Sequence, residues 1–125
     1  MAEDPKKLGD AGEKAAIRHL KRQGYKILAR NYICPAGEID VVCFDGDAIV
    51  FVEVKTRRHD SDADPEANIS AHKRRKLEQV ARQWLRAHRE PDCGYRFDAV
   101  SVLFPETGNP SVRHIEEAFL PVERH

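Results

Sequence analysis

Apolar residues recur along this chain with two periods, one helical and one alternating, and the switches between them mark out its elements. From Gly9 to Gln23, Ala16, Ile17 and Leu20 fall at helical spacing, and Gly24 stands where a left-handed cap would end a helix. Tyr25 to Ile33 reads as a strand around Tyr25, Ile27 and Leu28, until Cys34-Pro35-Ala36-Gly37 breaks it. Two further strands, Glu38 to Phe44 and Ala48 to Lys55, flank Asp45-Gly46-Asp47, whose Asp-Gly pair suits a tight hairpin. Arg57 to Ile69 is almost free of apolar side chains and predicts a long polar loop. Ser70 is a natural N-cap for a second helix, in which Leu77, Val80, Ala81, Trp84, Leu85 and His88 recur at helical spacing until Pro91. Strand chemistry returns from Tyr95 to Phe104, and Val112 to Leu120 forms a short last element of either type. This order predicts a small α/β sandwich, a central mixed β-sheet flanked by α-helices.

The hairpin strands are apolar on both faces, as in strands covered on both sides, yet Asp40, Glu53 and Lys55 interrupt them. Ionised groups are rarely placed in a sheet interior without a partner or a metal. With a two- or four-residue turn, Glu38, Asp40, Glu53 and Lys55 share one face, whereas a three-residue turn scatters them. On the shared face Asp40 lies opposite or diagonal to Glu53, with Cβ atoms about 4.5–8 Å apart, within reach of one divalent cation. Glu13 repeats the anomaly: it precedes Ala16, Ile17 and Leu20 by three, four and seven residues and so points inward with the apolar stripe. Three converging carboxylates are oxygen donors suited to Mg²⁺ or Mn²⁺. Taken singly, each has a plainer explanation: a solvated Glu53–Lys55 pair, a turn residue at Asp40, a ragged helix start at Glu13.

Gly37-Glu38-Ile39-Asp40, the hairpin, and Val52-Glu53-Val54-Lys55-Thr56-Arg57 resemble the D…(D/E)-x-K signature of the restriction-endonuclease-like nuclease superfamily. Gly12-Glu13, Arg30-Asn31-Tyr32, Pro65-Glu66-Ala67, Lys73 with Lys76, and Arg96-Phe97-Asp98 extend the likeness over nearly the whole chain. Together they resemble the YraN-like proteins, small bacterial proteins similar to archaeal Holliday-junction resolvases. The resemblance implies a restriction-endonuclease-like sandwich and metal-dependent cleavage of phosphodiesters. On it, Asp40 and Glu53 match the metal-binding acids, Lys55 the catalytic lysine and Glu13 the helix-borne acid. Glu38 becomes a supporting residue on the same face.

Charge then points to the partner. The chain has 125 residues with 21 basic and 21 acidic side chains, so bulk electrostatics would not coat a nucleic acid, but the signs are segregated. His72, Lys73, Arg74, Arg75 and Lys76 crowd the start of the second helix, where the helix dipole disfavours cations. A nucleic-acid phosphate would compensate them, as would the acidic loop at Asp60 to Glu66. Lys73, four residues before Leu77, leans toward the apolar stripe and the acids, and Arg57 and Arg58 could contact flanking backbone. The nucleic-acid-binding set is therefore Arg57, Arg58, Lys73, Arg74, Arg75 and Lys76, with DNA the expected partner.

Other chemistry is poorly supported. Cys34, Cys43 and Cys93 form no C-x-x-C pair, no H-x-x-x-H is present, and Trp84 and Leu85 read as core. The length suits one domain, residues 1–125, and no apolar run is long enough to cross a membrane, which predicts a cytoplasmic protein. The sequence thus predicts a Mg²⁺- or Mn²⁺-dependent endonuclease acting on DNA, branched DNA included. Resolving a junction would require two active centres and hence a homodimer. A nucleic-acid-binding module without catalysis, or a purely structural interaction protein, are the alternatives.

Overall fold

The computed structural model describes residues 4–60, 70–88 and 94–119. Its elements are α1 (Pro5–Arg22), β1 (Lys26–Cys34), β2 (Gly37–Phe44), β3 (Ile49–Arg58), α2 (Ala71–His88), β4 (Tyr95–Phe104) and β5 (Ser111–Phe119). Helix α1 starts four residues before the predicted Gly9, because its start is set by capping rather than by apolar periodicity. The Asp4 carboxylate accepts the Lys6 N–H at 3.0 Å, and Pro5 occupies the first turn, where its missing N–H costs nothing. At the far end Gly24 takes φ 91°, as the capping pattern requires. Ser70 caps α2 as predicted, its Oγ accepting the Lys73 N–H at 3.2 Å.

The five strands lie in the order β1-β2-β3-β4-β5. Strands β3 and β4 pair in parallel, with α2 in the crossover, and the other neighbouring pairs are antiparallel. The mixed sheet flanked by helices is thus as expected, and the last element, left open by its pattern, is the strand β5. Strand β3 runs three residues beyond the predicted Lys55. Its pairing with β4 continues to Arg57↔Leu103 and Arg58↔Phe104, so Arg57 and Arg58 belong to a strand and not to a loop. Backbone pairing carries the strand where the side chains have turned polar. Most of the predicted loop, including Pro65-Glu66-Ala67, lies outside the described residues, as do Pro91, Cys93 and Leu120.

Two apolar layers enclose the sheet. On one side Ala16, Ile17 and Leu20 of α1 pack on Val41, Cys43, Val50, Val52, Val100 and Val102. On the other, Leu77, Val80, Ala81 and Trp84 of α2 pack on Ile39, Val42, Ile49, Phe51 and Phe97. Each fully buried aliphatic or aromatic side chain contributes roughly 1.5–3 kcal/mol. Among the described residues no helix is long and apolar enough to cross a membrane.

A polar knot fastens β5 to β4. Asp98 is completely buried and accepts from Arg96 Nε at 3.0 Å and the Glu117 N–H at 3.0 Å, with His114 Nε2 at 2.7 Å. Burial alone would raise its carboxyl. The bonds from His114, Arg96 and Glu117 outweigh burial and hold it below the usual carboxylate range.

Candidate active site

The β2–β3 turn is Asp45–Ala48, a four-residue turn of the kind that was to place Glu38, Asp40, Glu53 and Lys55 on one face. The ladder, however, ends at Val41↔Val52, and beyond that pair the strands part. Asp40 enters the gap and its Oδ2 accepts the Val54 N–H at 2.7 Å, replacing a ladder bond with a side-chain one. Alternation breaks here: Val42 and Ile39 both face α2, while Val41 between them faces α1. The shared-face expectation is therefore corrected. Asp40 opens on the α1 side, in a cleft of about 470 Å³ with Glu13, Val54 and Thr56. Glu53 and Lys55 line an adjoining cleft of about 510 Å³ with Arg57, Arg58 and Lys73. Glu38 is exposed on β2 and acts on Asp40 and Glu13 only through its charge.

Burial, followed by the charge of Glu53, pushes the Asp40 carboxyl up to about 7, and the Val54 bond only partly offsets this. Asp40, Glu53, Glu13 and Glu38 thus interact electrostatically at the end of the sheet.

Glu13 is positioned from two directions. Nδ2 of Asn31 donates to Glu13 Oε1 at 2.9 Å, and Arg30 Nε lies 4.0 Å from the same oxygen. Burial raises the Glu13 carboxyl, with Arg30 and then Asn31 acting against it. Asn31 manages this from a strand by adopting φ 49°, a left-handed conformation that asparagine tolerates better than most residues. The helix itself sits close to β3. A Cβ built on Gly12 would lie 2.8 Å from Thr56 Cβ, so only glycine permits the approach that brings Glu13 to the cleft.

On the α2 side, Lys73 Nζ lies 2.6 Å from Glu53 Oε1, and the lysine is half exposed whereas Glu53 is largely covered. Lys55 is half-buried beside them. Arg57 is also half-buried, and its Nη1 is buried without a hydrogen-bond partner among the described residues. Arg58 Nε lies 3.5 Å from Asp60 Oδ1. Arg74 is half-buried, while Arg75 and Lys76 are exposed on α2. Hence Lys73, Arg57 and Arg58 line the cleft, whereas Arg74, Arg75 and Lys76 are not among its lining residues.

Asn31 and Thr56 stand in the runs that carry the family resemblance but were given no site role from the sequence, although a polar asparagine inside an otherwise strand-like run was a signal. Among the described residues, no three His, Cys, Asp or Glu side chains are gathered tightly enough to cage an ion unaided. Mg²⁺ does not need such a cage, because it is ordinarily held by one or two carboxylates, with waters and substrate phosphate completing the shell. A carboxyl displaced upward by burial and like charge is a group that a divalent cation would relieve. On those grounds Asp40 with Glu13 or Glu53 fits such an ion.

Comparison with known proteins gives the lineage. The description "Uncharacterised protein family UPF0102" matches residues 12–102, a span that includes Glu13, Asp40, Glu53, Lys55 and Lys73. The chain is 40% identical over 116 residues to a UPF0102 protein of Geotalea uraniireducens (strain Rf4), covering 93% of this chain and 91% of that one. It is 44% identical over 115 residues to a UPF0102 protein of Geobacter metallireducens, covering 91% and 93%. Among solved structures it is similar to Hjc of Archaeoglobus fulgidus, a Holliday junction resolvase, with TM-score 0.49 and 16% identity over 86% of this chain and 75% of that one. The family match and these relatives show that the chain belongs to the UPF0102 family.

Proposed function

We propose that this chain is a single cytoplasmic nuclease-like domain, an endonuclease that hydrolyses phosphodiester bonds in DNA with Mg²⁺ or Mn²⁺. The observation that carries this reading is Asp40. It is anchored by the Val54 N–H where β2 and β3 part, and burial, followed by the charges of Glu53 and Glu13, raises its carboxyl. Such a carboxylate is costly to ionise in the free protein, and function gives a reason to keep it there. Asp40 and Glu53 are the proposed metal-holding acids, with Glu13 reaching the same ion directly or through water and Glu38 adding negative potential. A divalent ion bound there would supply Lewis-acid polarisation of the phosphate and a more acidic water.

The chain's own groups do the rest. Asn31 holds the Glu13 carboxylate in one orientation. Lys55 offers an ammonium where negative charge develops during attack on phosphorus, a preorganised cation of the kind that lowers such barriers. Lys73, paired with Glu53 in the free protein, would turn to a substrate phosphate, as would Arg57 and Arg58 on the strand beyond. Branched or four-way DNA is the proposed substrate class, and a homodimer would bring the two centres that symmetric cutting needs.

The test is cleavage of labelled single-stranded, duplex, flap and four-way DNA in Mg²⁺, Mn²⁺ or EDTA, by the wild type, Asp40→Asn and Lys55→Ala. Cutting that needs the ion and fails in both folded variants is expected. Cutting in EDTA, or equal cutting by the variants, refutes the mechanism. A second reading, a binding module that keeps the fold without catalysis, draws support from the Glu53–Lys73 ion pair, which occupies one of the acids. Tight, salt-sensitive binding with no cutting would establish it.

A further inference from the structure

Helix α2 carries more positive charge than its first turn explains. Its 18 residues hold six Lys and Arg against one acid, Glu78. With 21 of each sign in the whole chain, the remainder has five more acids than bases. The apolar face of α2 is turned to the sheet through Leu77, Val80, Ala81 and Trp84. His72, Arg75, Gln79, Arg82 and Arg86 follow one another by three or four residues, and all five are exposed. At 100° per residue they form a single stripe on the outer face. Glu78 does not interrupt it, because that acid is buried and already bound to Arg82 at 2.7 Å. Arg75 and Arg86 have no ion-pair partner among the described residues. Beside Arg82 and Arg86 the surface is hollowed into a cavity of about 500 Å³, which reaches Ala36 of the β1–β2 turn.

We infer that this outer stripe is a second nucleic-acid contact surface, which holds the backbone of a duplex running away from the cleft. The inference rests on the proposed action on DNA and extends it from the first turn of α2 to the whole helix. Between Lys73 at the cleft and Arg86 at the far end the helix rises about 20 Å, the length of about six base pairs. Along the axis His72 and Arg75 lie about 4.5 Å apart, Arg75 and Arg82 about 10.5 Å with Gln79 between them, and Arg82 and Arg86 about 6 Å, so a phosphate backbone can meet several of them. The guanidinium groups pair with phosphates, and Gln79 adds an amide donor.

The experiment measures binding of a duplex of about 20 base pairs in EDTA over a range of salt concentrations, for the wild type, Arg75→Gln/Arg86→Gln and Lys14→Gln/Arg18→Gln. The last pair removes the same charge from exposed positions of α1. Two lost phosphate contacts should reduce the slope of log K against log salt by about 1.8. With an unchanged intercept at 1 M, that is roughly a 60-fold loss of affinity at 0.1 M, whereas the α1 control should keep the wild-type slope. Equal slopes for the α2 variant and the control, or no duplex binding by the wild type, overturn the inference. The readout is independent of cutting. A wild type that binds through the stripe but never cleaves sinks only the nuclease reading, and one that cleaves with an unaltered α2 slope sinks only the stripe.

Discussion

Asp40→Asn isolates the charge on which the site depends. The amide keeps an acceptor for the Val54 N–H, which Asp40 now binds at 2.7 Å, and removes only the ionisable group. In the folded protein, burial and then the charge of Glu53 lift this carboxyl from 3.8 to about 7. That displacement corresponds to about 4 kcal/mol, and partial exposure with local relaxation brings the expected effect to about 2–4 kcal/mol. The sign follows from proton counting. Between about pH 4 and pH 7 the folded state holds a proton that the unfolded chain has released, so wild-type stability falls as pH rises through that window. The variant has nothing to titrate there. It should match the wild type near pH 4 and exceed it by about 2–4 kcal/mol near pH 8. Urea unfolding in EDTA, followed by circular dichroism across this range, reads the difference directly. Added Mg²⁺ or Mn²⁺ at about 100 times its dissociation constant should then stabilise the wild type by about 2.7 kcal/mol and leave the variant unmoved. If the variant is no more stable than the wild type near pH 8, Asp40 is not a destabilised charge and the metal reading loses its main support.

Three further outcomes test the supporting structure. Asn31→Gly suits the φ of 49° but deletes the bond to Glu13. It should cost about 1–2 kcal/mol in urea unfolding and reduce ion-dependent cleavage, and unaltered cleavage would remove Asn31 from the site. Gly12→Ala drives a methyl group into Thr56 and should destabilise by about 1–3 kcal/mol, partly recovered in the double variant with Thr56→Gly. An undisturbed melting temperature for the single variant would contradict the close approach of α1. Asp98→Ala strands Arg96 and His114 beside an empty buried site and should cost about 3–5 kcal/mol near pH 7. Because the Asp98 carboxyl is depressed, the stability it confers is present above about pH 4 and lost as pH falls further, so the gap between wild type and variant should narrow on acidification.

Much of this molecule can be read from residue order alone, because local rules act over a few residues. Helical spacing in Leu77, Val80, Ala81 and Trp84, the Ser70 cap, the Gly24 stop and the double-sided apolar strands around Asp-Gly each reflect one element's own chemistry. The anomaly of Asp40, Glu53 and Glu13 was legible for the same reason: charged residues stood at positions that such patterns reserve for apolar ones. Features that depend on a distant partner were not legible. Arg57 and Arg58 are strand residues only because β4 pairs with them, and β5 became a strand by pairing with β4, where Asp98 ties it at Glu117. The four-residue turn was among those foreseen, yet no turn rule specifies that the ladder stops at Val41↔Val52 and lets Asp40 change sides. Likewise Asn31 meets Glu13 across 18 residues of chain, through a left-handed backbone angle stabilised by contacts that exist only after folding. Sequence supplied the acids and the layers. Which cleft each acid enters was decided by strand divergence and helix docking, since these arise from long-range packing and not from local propensity.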